Sequence, residues 1–111
     1  MYVNDLCEYS LKKEDTGFRY NTGKPMMELI EPGFMEEVAK ILTFGAEKYD
    51  TNNWKKFDSV KRFQTYGSLM RHLEAHRKGE KTDPESGCSH LCHIVANSMF
   101  LWWFDNNPLD K

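Results

Sequence analysis

The sequence is poor in cysteine, in long apolar runs and in excess charge of either sign. The three cysteines, Cys7, Cys88 and Cys92, form an odd set without the density of a disulfide scaffold, and read as reduced thiols in a cytoplasm. The longest apolar stretch near the C-terminus, Met99 to Phe104, is far too short to span a bilayer, which takes about 20 residues. No charged leader precedes an apolar run with a small-residue cleavage site, so the expectation is a cytoplasmic protein with no membrane partner. Lys and Arg number 15 against 17 Asp and Glu, a formal net charge of -2, and without a basic excess nucleic acid is not an expected partner. There is no internal repeat, no low-complexity tract and no clear alternation of strand period.

What remains is enough for one core. Hydrophobic residues make up 40% of the 111 residues and aromatics 14%. A chain of this length buries roughly two thirds of the surface its unfolded form exposes. We expect a single domain: an arm over 1–23, a core over 24–104 and a polar tail over 105–111. The arm shows no sustained period beyond a turn of helix at Asn4 to Lys12.

The fold class expected is all-α, a compact bundle of three main helices. Pro25 and Pro32 bracket Met26 to Ile30, and the bias of pre-proline residues away from the helical region predicts an extended segment there. From Phe34 the apolar positions Phe34, Val38, Ile41, Leu42 and Ala46 recur at helical spacing, predicting a first helix that ends near Tyr49. Asp50-Thr51-Asn52-Asn53 makes a polar turn, and Trp54 anchors the loop. A second helix runs from about Val60 to Lys78, with Gly79 as its stop. Asp83-Pro84-Glu85 reads as the opening of the third, with Asp83 as cap and Pro84 in the first helical position, continuing to about Phe104. Trp102-Trp103-Phe104 is more aromatic surface than so small a bundle covers, which predicts oligomerisation through it.

All four histidines fall within one stretch, Arg71 to His93, together with Glu74, Glu80, Asp83 and Glu85. On a helix His90, His93 and Asn97 share a stripe. Three readings compete: surface or satisfied core histidines; a zinc site, disfavoured because Cys88, His90, Cys92 and His93 cannot converge on one tetrahedral ion from an unbroken helix; and a hard divalent cation such as Mg²⁺ held by carboxylates drawn from Glu36, Glu37, Glu74, Glu80, Asp83 and Glu85. Lys24, Lys48 and Arg71 are available for phosphate oxygens. Trp54 or Tyr49 can stack on a purine, or Trp54 can simply anchor the core. The acidic segment Gly79 to Gly87 lacks P-loop spacing, and no serine or cysteine nucleophile signature is present.

Several blocks occur in one order: Gly23-Lys24-Pro25, Leu29-Ile30-x-Pro32, Leu42-Thr43-Phe44-Gly45-Ala46-x-Lys48-Tyr49, Asn53-Trp54, Arg71-His72-Leu73-Glu74-Ala75, Gly79-Glu80, Asp83-Pro84-Glu85-Ser86-Gly87, and His90-Leu91-x-His93 followed by Asn97. From Gly23 to about Leu101 this resembles the N-terminal domain family named for phage dATP/dGTP diphosphohydrolase, which is MazG-like. The resemblance implies an all-α pyrophosphohydrolase that uses Mg²⁺, or Mn²⁺ in its place, to cleave a purine nucleoside triphosphate to monophosphate and pyrophosphate. It also implies dimers or tetramers, and the host cytoplasm if phage-encoded. It places His72, Glu85, His90 and His93 at the chemistry, Glu80, Asp83, Glu85 and His90 at the metal, and Lys24, Lys48, Tyr49, Asn53, Trp54 and Arg71 at the nucleotide. MazG-like enzymes carry Glu-Glu-x-x-Glu and Glu-x-x-Asp helices. Here Glu36-Glu37-x-x-Lys40 and Glu47-x-x-Asp50 are only approximations, and both lie on the first helix. That departure keeps an inactive nucleotide-binding or sequestering module as the alternative.

Overall fold

The computed structural model describes residues 17, 18, 20 and 22–110. The expected helical turn at Asn4 to Lys12 and Cys7 lie outside the described residues. Three α-helices carry the fold: α1 (Phe34–Tyr49), α2 (Ser59–Arg77) and α3 (His90–Asn106), with short 3₁₀ turns at Met27–Leu29 and Asn53–Lys56. No strand forms among the described residues; Thr82 and Ser89 make an isolated antiparallel bridge. None of these helices is long and apolar enough to cross a membrane.

The segment between the prolines is not extended but coils into the first 3₁₀ turn, with Ile30 N–H donating to the Met27 carbonyl at 3.1 Å. A proline restrains only the residue before it, here Lys24 and Glu31, and leaves the residues between free to coil. The chain then turns through Pro32 and Gly33, Phe34 N–H reaching the Glu31 carbonyl at 3.1 Å, and α1 begins with Glu36 and Glu37 at its positive end. The helix stops at Asp50, whose φ of 119° and ψ of 154° is a conformation that costs a non-glycine residue about 1–3 kcal/mol.

Helix α2 starts one residue before the predicted Val60 because Asp58 caps it, accepting from Lys61 N–H at 3.0 Å. Its end is a Schellman motif: Gly79 N–H donates to the His76 carbonyl at 2.9 Å and Glu80 N–H to the Ala75 carbonyl at 3.0 Å. Gly79 sits at φ 107°, which a side chain resists, so glycine fixes where Glu80 leaves the helix.

The third helix does not open at Asp83. Asp83 accepts from Ser86 N–H at 2.9 Å, as a cap would, but the turn closes on itself when Gly87 N–H donates to the Asp83 carbonyl at 2.7 Å and Gly87 takes a left-handed φ of 73°. The true cap is Ser89, which accepts from Leu91 N–H at 3.1 Å. Between α2 and α3 the loop is laced by Asp83 N–H to the Cys88 carbonyl at 2.8 Å and His90 N–H to the Lys81 carbonyl at 3.0 Å. Cys88 therefore precedes the helix and only Cys92 lies on it, both as free thiols. Burial first, then Glu37 and Cys88, pushes the Cys92 thiol up, as suits a packing residue.

Helix α3 is the middle element, packed against α2 and against α1. Ile41, Cys88, Cys92 and Ala96 form its buried contact with α1, flanked by Val38, Leu42 and Phe100. At the far end the indole of Trp54 stacks on Phe100 with centroids 4.5 Å apart and meets Trp103 edge-on at 5.4 Å. Arg62 lies over the Phe104 ring at 4.6 Å and donates to the Asn107 carbonyl at 2.8 Å, closing the C-terminal end of α3. The chain thus covers Phe104 and much of Trp103 itself. Of the three aromatics expected on the surface, only Trp102, 63% exposed, points outward.

Candidate active site

Helices α1 and α3, the loop of residues 50–57 and one side of α2 enclose a cavity of about 470 Å³, inside the roughly 300–1,000 Å³ of small-molecule sites. Its wall is mostly apolar, from Ile41, Leu42, Phe44, Trp54, Ala96 and Phe100, and its polar contributions come from Ser68, Asn97, Asn52 and Asn53. His72 from α2 and His93 from α3 close one end.

Behind that end the ligand-type residues converge. His72 and His93 stack with centroids 4.2 Å apart and planes within 6°. His72 Nδ1 and His90 Nδ1 are 2.8 Å apart, and His90 Nε2 lies 2.8 Å from Glu80 Oε1. His93 Nε2 lies 2.7 Å from Ser86 Oγ and 3.9 Å from Asp83 Oδ2. His72, Asp83 and His90 each offer a ligand atom within 4.8 Å of the others, the one such group of three or more among the described residues. The loop conformation makes this possible: the Schellman motif hands Glu80 to His90, and the Asp83 turn brings Ser86 to His93.

The electrostatics follow from partial burial. Burial, then the neighbouring His93 and His90, holds His72 below its ordinary value, and burial does the same to His93 against the pull of Asp83. Burial opposes ionisation of Asp83, yet the amide and hydroxyl of Ser86, with His93 and His72, hold its carboxyl below the usual range. Two neutral imidazoles thus face an ionised carboxylate at neutral pH.

Of the residues singled out from the sequence, His72, His90, His93, Glu80 and Asp83 are brought together. Tyr49, Asn53 and Trp54 line the cavity. Glu85 stands at the rim rather than in the group of three, bonded to Lys48 Nζ at 2.6 Å, and this bond and then Tyr49 push the Lys48 amine up. Arg71 lies instead in a shallow groove with Glu74, Lys78 and Glu80, and Lys24 is exposed away from the cavity lining. Among the other carboxylates, Glu37 accepts from Ser89 N–H at 2.8 Å, while Glu36 and Glu47 flank a separate groove. Sequence reasoning missed Ser86, Ser68 and the capping role of Glu37; serine carries no periodic signal, and only its place in the Asp83-to-Gly87 block marked Ser86.

Residues 14–111 match the family described as dATP/dGTP diphosphohydrolase, N-terminal. The chain belongs to that family. It is 35% identical over 92 residues to the dATP/dGTP diphosphohydrolase of Salmonella phage PMBT28, a match covering 83% of this chain and 31% of that protein. The chain therefore spans under a third of that relative's length. No solved structure matches it. The family membership and the all-helical fold agree with the resemblance read from the sequence blocks.

Proposed function

We propose that this domain hydrolyses purine deoxynucleoside triphosphates to the monophosphate and pyrophosphate, in the nucleotide metabolism of a phage. The observation that carries the reading is a ligand-sized, largely apolar cavity with His72 and His93 at one end. The Salmonella phage relative is named for dATP and dGTP, and a purine suits such walls, with Asn53, Asn97 and Ser68 for its polar edge. Trp54 already spends a face on Phe100, so Tyr49, 61% exposed at the mouth, is the aromatic left for the base.

The triphosphate then runs toward the histidines. Its oxygens take Lys48 from Glu85, an exchange that costs little because an exposed ion pair contributes little. His93 accepts the proton of the attacking water, with Asp83 stabilising the imidazolium that forms. His72 orients His93 by stacking, and His90, tied to Glu80, fixes His72.

Mg²⁺ binds through oxygens in near-octahedral geometry. Two imidazoles and a carboxylate are a poor match for it, and no step is assigned to Mg²⁺ here. We expect the chain to work as a homodimer or homotetramer, with Trp102 at the contact, and in the cytoplasm.

The test is pyrophosphate release from a panel of ribo- and deoxynucleoside triphosphates with Mg²⁺, Mn²⁺ or no metal. Release favouring dATP or dGTP is expected, with Mn²⁺ supporting it better than Mg²⁺. In His93→Gln, which removes the proton acceptor, turnover is expected to vanish with the helical circular dichroism unchanged; full activity in that variant would take His93 out of the chemistry. The incomplete acidic motifs on α1 favour a second reading, a nucleotide-sequestering module. It predicts silence across the panel and an intact nucleotide released on heating.

A further inference from the structure

We propose that His72, His90 and Asp83 form a binding site for a six-coordinate first-row transition-metal dication of the Mn²⁺, Fe²⁺ or Co²⁺ type, with one face left open. The proposal deepens the reading of this cluster as the hydrolytic centre. It rests on that reading for what the ion does, not for whether it binds.

The tautomer of His90 gives the first argument. Its Nε2 lies 2.8 Å from a Glu80 carboxylate oxygen, which only accepts, so Nε2 carries the proton and the lone pair falls on Nδ1. That Nδ1 is the atom facing His72 Nδ1 at 2.8 Å. A carboxylate behind an imidazole whose other nitrogen points at a shared centre is how metal-binding histidines are oriented. His90 is 3% exposed, while Glu80 reaches it from a half-exposed side chain.

Spacing gives the second. With metal–nitrogen bonds of about 2.0–2.1 Å, two nitrogens lie about 2.9 Å apart at a right angle and about 3.3 Å apart at the tetrahedral angle. The observed 2.8 Å, the length of an imidazole–imidazole hydrogen bond, already brings the two nitrogens close to adjacent positions of an octahedron. The three ligand atoms lie within 4.8 Å of one another, close to the about 4.2 Å that opposite ligands reach, so small side-chain movements bring them onto one ion. Two histidines and one carboxylate are the facial set that leaves three positions free. Imidazole donors disfavour Mg²⁺ and suit first-row transition metals, and His72 links the group to the end of the cavity where the phosphates are placed.

The test titrates the full chain with Co²⁺ and follows the visible spectrum, with Mn²⁺ and Mg²⁺ as competitors. Expected are one equivalent bound, the weak bands of a six-coordinate ion, displacement by Mn²⁺, and no displacement by Mg²⁺ at the same concentration. Glu80→Gln, on an exposed side chain, should weaken binding about 10–100-fold. His72→Gln, half-buried, should weaken it by more than that, with the helical circular dichroism retained. Intense bands of a tetrahedral ion, equal competition by Mg²⁺, or affinity unchanged within about twofold in both variants overturns the site. Pyrophosphate release from dATP is measured alongside. Loss of Co²⁺ binding in His72→Gln with turnover surviving keeps the ion site and makes hydrolysis independent of it. A bound Co²⁺ in a chain that releases no pyrophosphate keeps the ion site and removes the hydrolase.

Discussion

Replacing Gly79 by alanine should destabilise the domain through the backbone alone. A Cβ built there meets nothing within 4 Å, so no clash contributes, but the residue sits at φ 107°. Holding an L-residue in left-handed territory costs about 1–2 kcal/mol. For a domain of this length that lowers the melting temperature by about 4–9 °C. Gly45 is the matched control: it lies inside α1, with nothing within 4 Å of a Cβ and no positive φ. Alanine there should stabilise by about 0.5–1 kcal/mol, because glycine gives up more freedom on entering a helix. Thermal unfolding by circular dichroism of the two variants reads opposite signs from the same chemical change. If both moved the same way, or Gly79→Ala melted within about a degree of the parent, the Schellman geometry assigned to the end of α2 would be wrong. Gly79→Ala should also loosen Glu80 from His90, since the motif sets where Glu80 leaves the helix.

Three further outcomes follow from the packing. Ser89→Ala should cost about 1 kcal/mol as the loss of an N-cap, whereas a helix that really opened at Asp83 would leave that variant's melting temperature unchanged. The hydrogen bond from Lys61 N–H, then the Lys61 charge, holds the Asp58 carboxyl below its ordinary value. Its stabilisation is therefore present above the unfolded pKa and lost as pH falls through the lower folded one, and Asp58→Asn should flatten the acid limb of a stability-against-pH curve without altering the limb above neutrality. Trp102→Ala should shift the light-scattering mass toward monomer, while Trp103→Ala should chiefly lower the melting temperature, because Trp103 is committed to Trp54; an unchanged mass for Trp102→Ala would remove that face from the interface.

The first helix was legible because its apolar positions repeat over more than three turns. Phe34 to Ala46 announces a face and Gly79 an end, whereas the apolar positions of α2 are largely exposed, Phe63 at 75%. Asp83 misled because the same side-chain-to-amide bond that caps a helix also caps a single turn, and which one follows depends on Gly87 four residues on. The histidine cluster was legible as a set, since His72, His90 and His93 lie in neighbouring blocks. Its partners were not. Glu80 and Asp83 were read as carboxylates for a hard cation, but the loop turns Glu80 onto an imidazole and Asp83 toward Ser86 and His93. Arg71 was chosen for its chemistry, and it faces a shallow groove away from the cavity. Nothing in the sequence orders such side chains around a helix whose neighbours are unknown.

The middle position of α3 divides the molecule's labour. The hairpin of α2 and α3 holds the histidines, Glu80 and the Asp83 turn in one unit, whereas α1 contributes wall, rim lysine and base-side aromatic from the other side of the cavity. Under the proposed function, widening the mouth to admit a nucleotide disturbs the contact of Ile41 with Cys88, Cys92 and Ala96, the bond from Ser89 N–H to Glu37 and the Lys48–Glu85 pair. The histidine cluster keeps its registration while that wall gives way, so on the proposed function substrate preference is retuned on α1 without rebuilding the cluster.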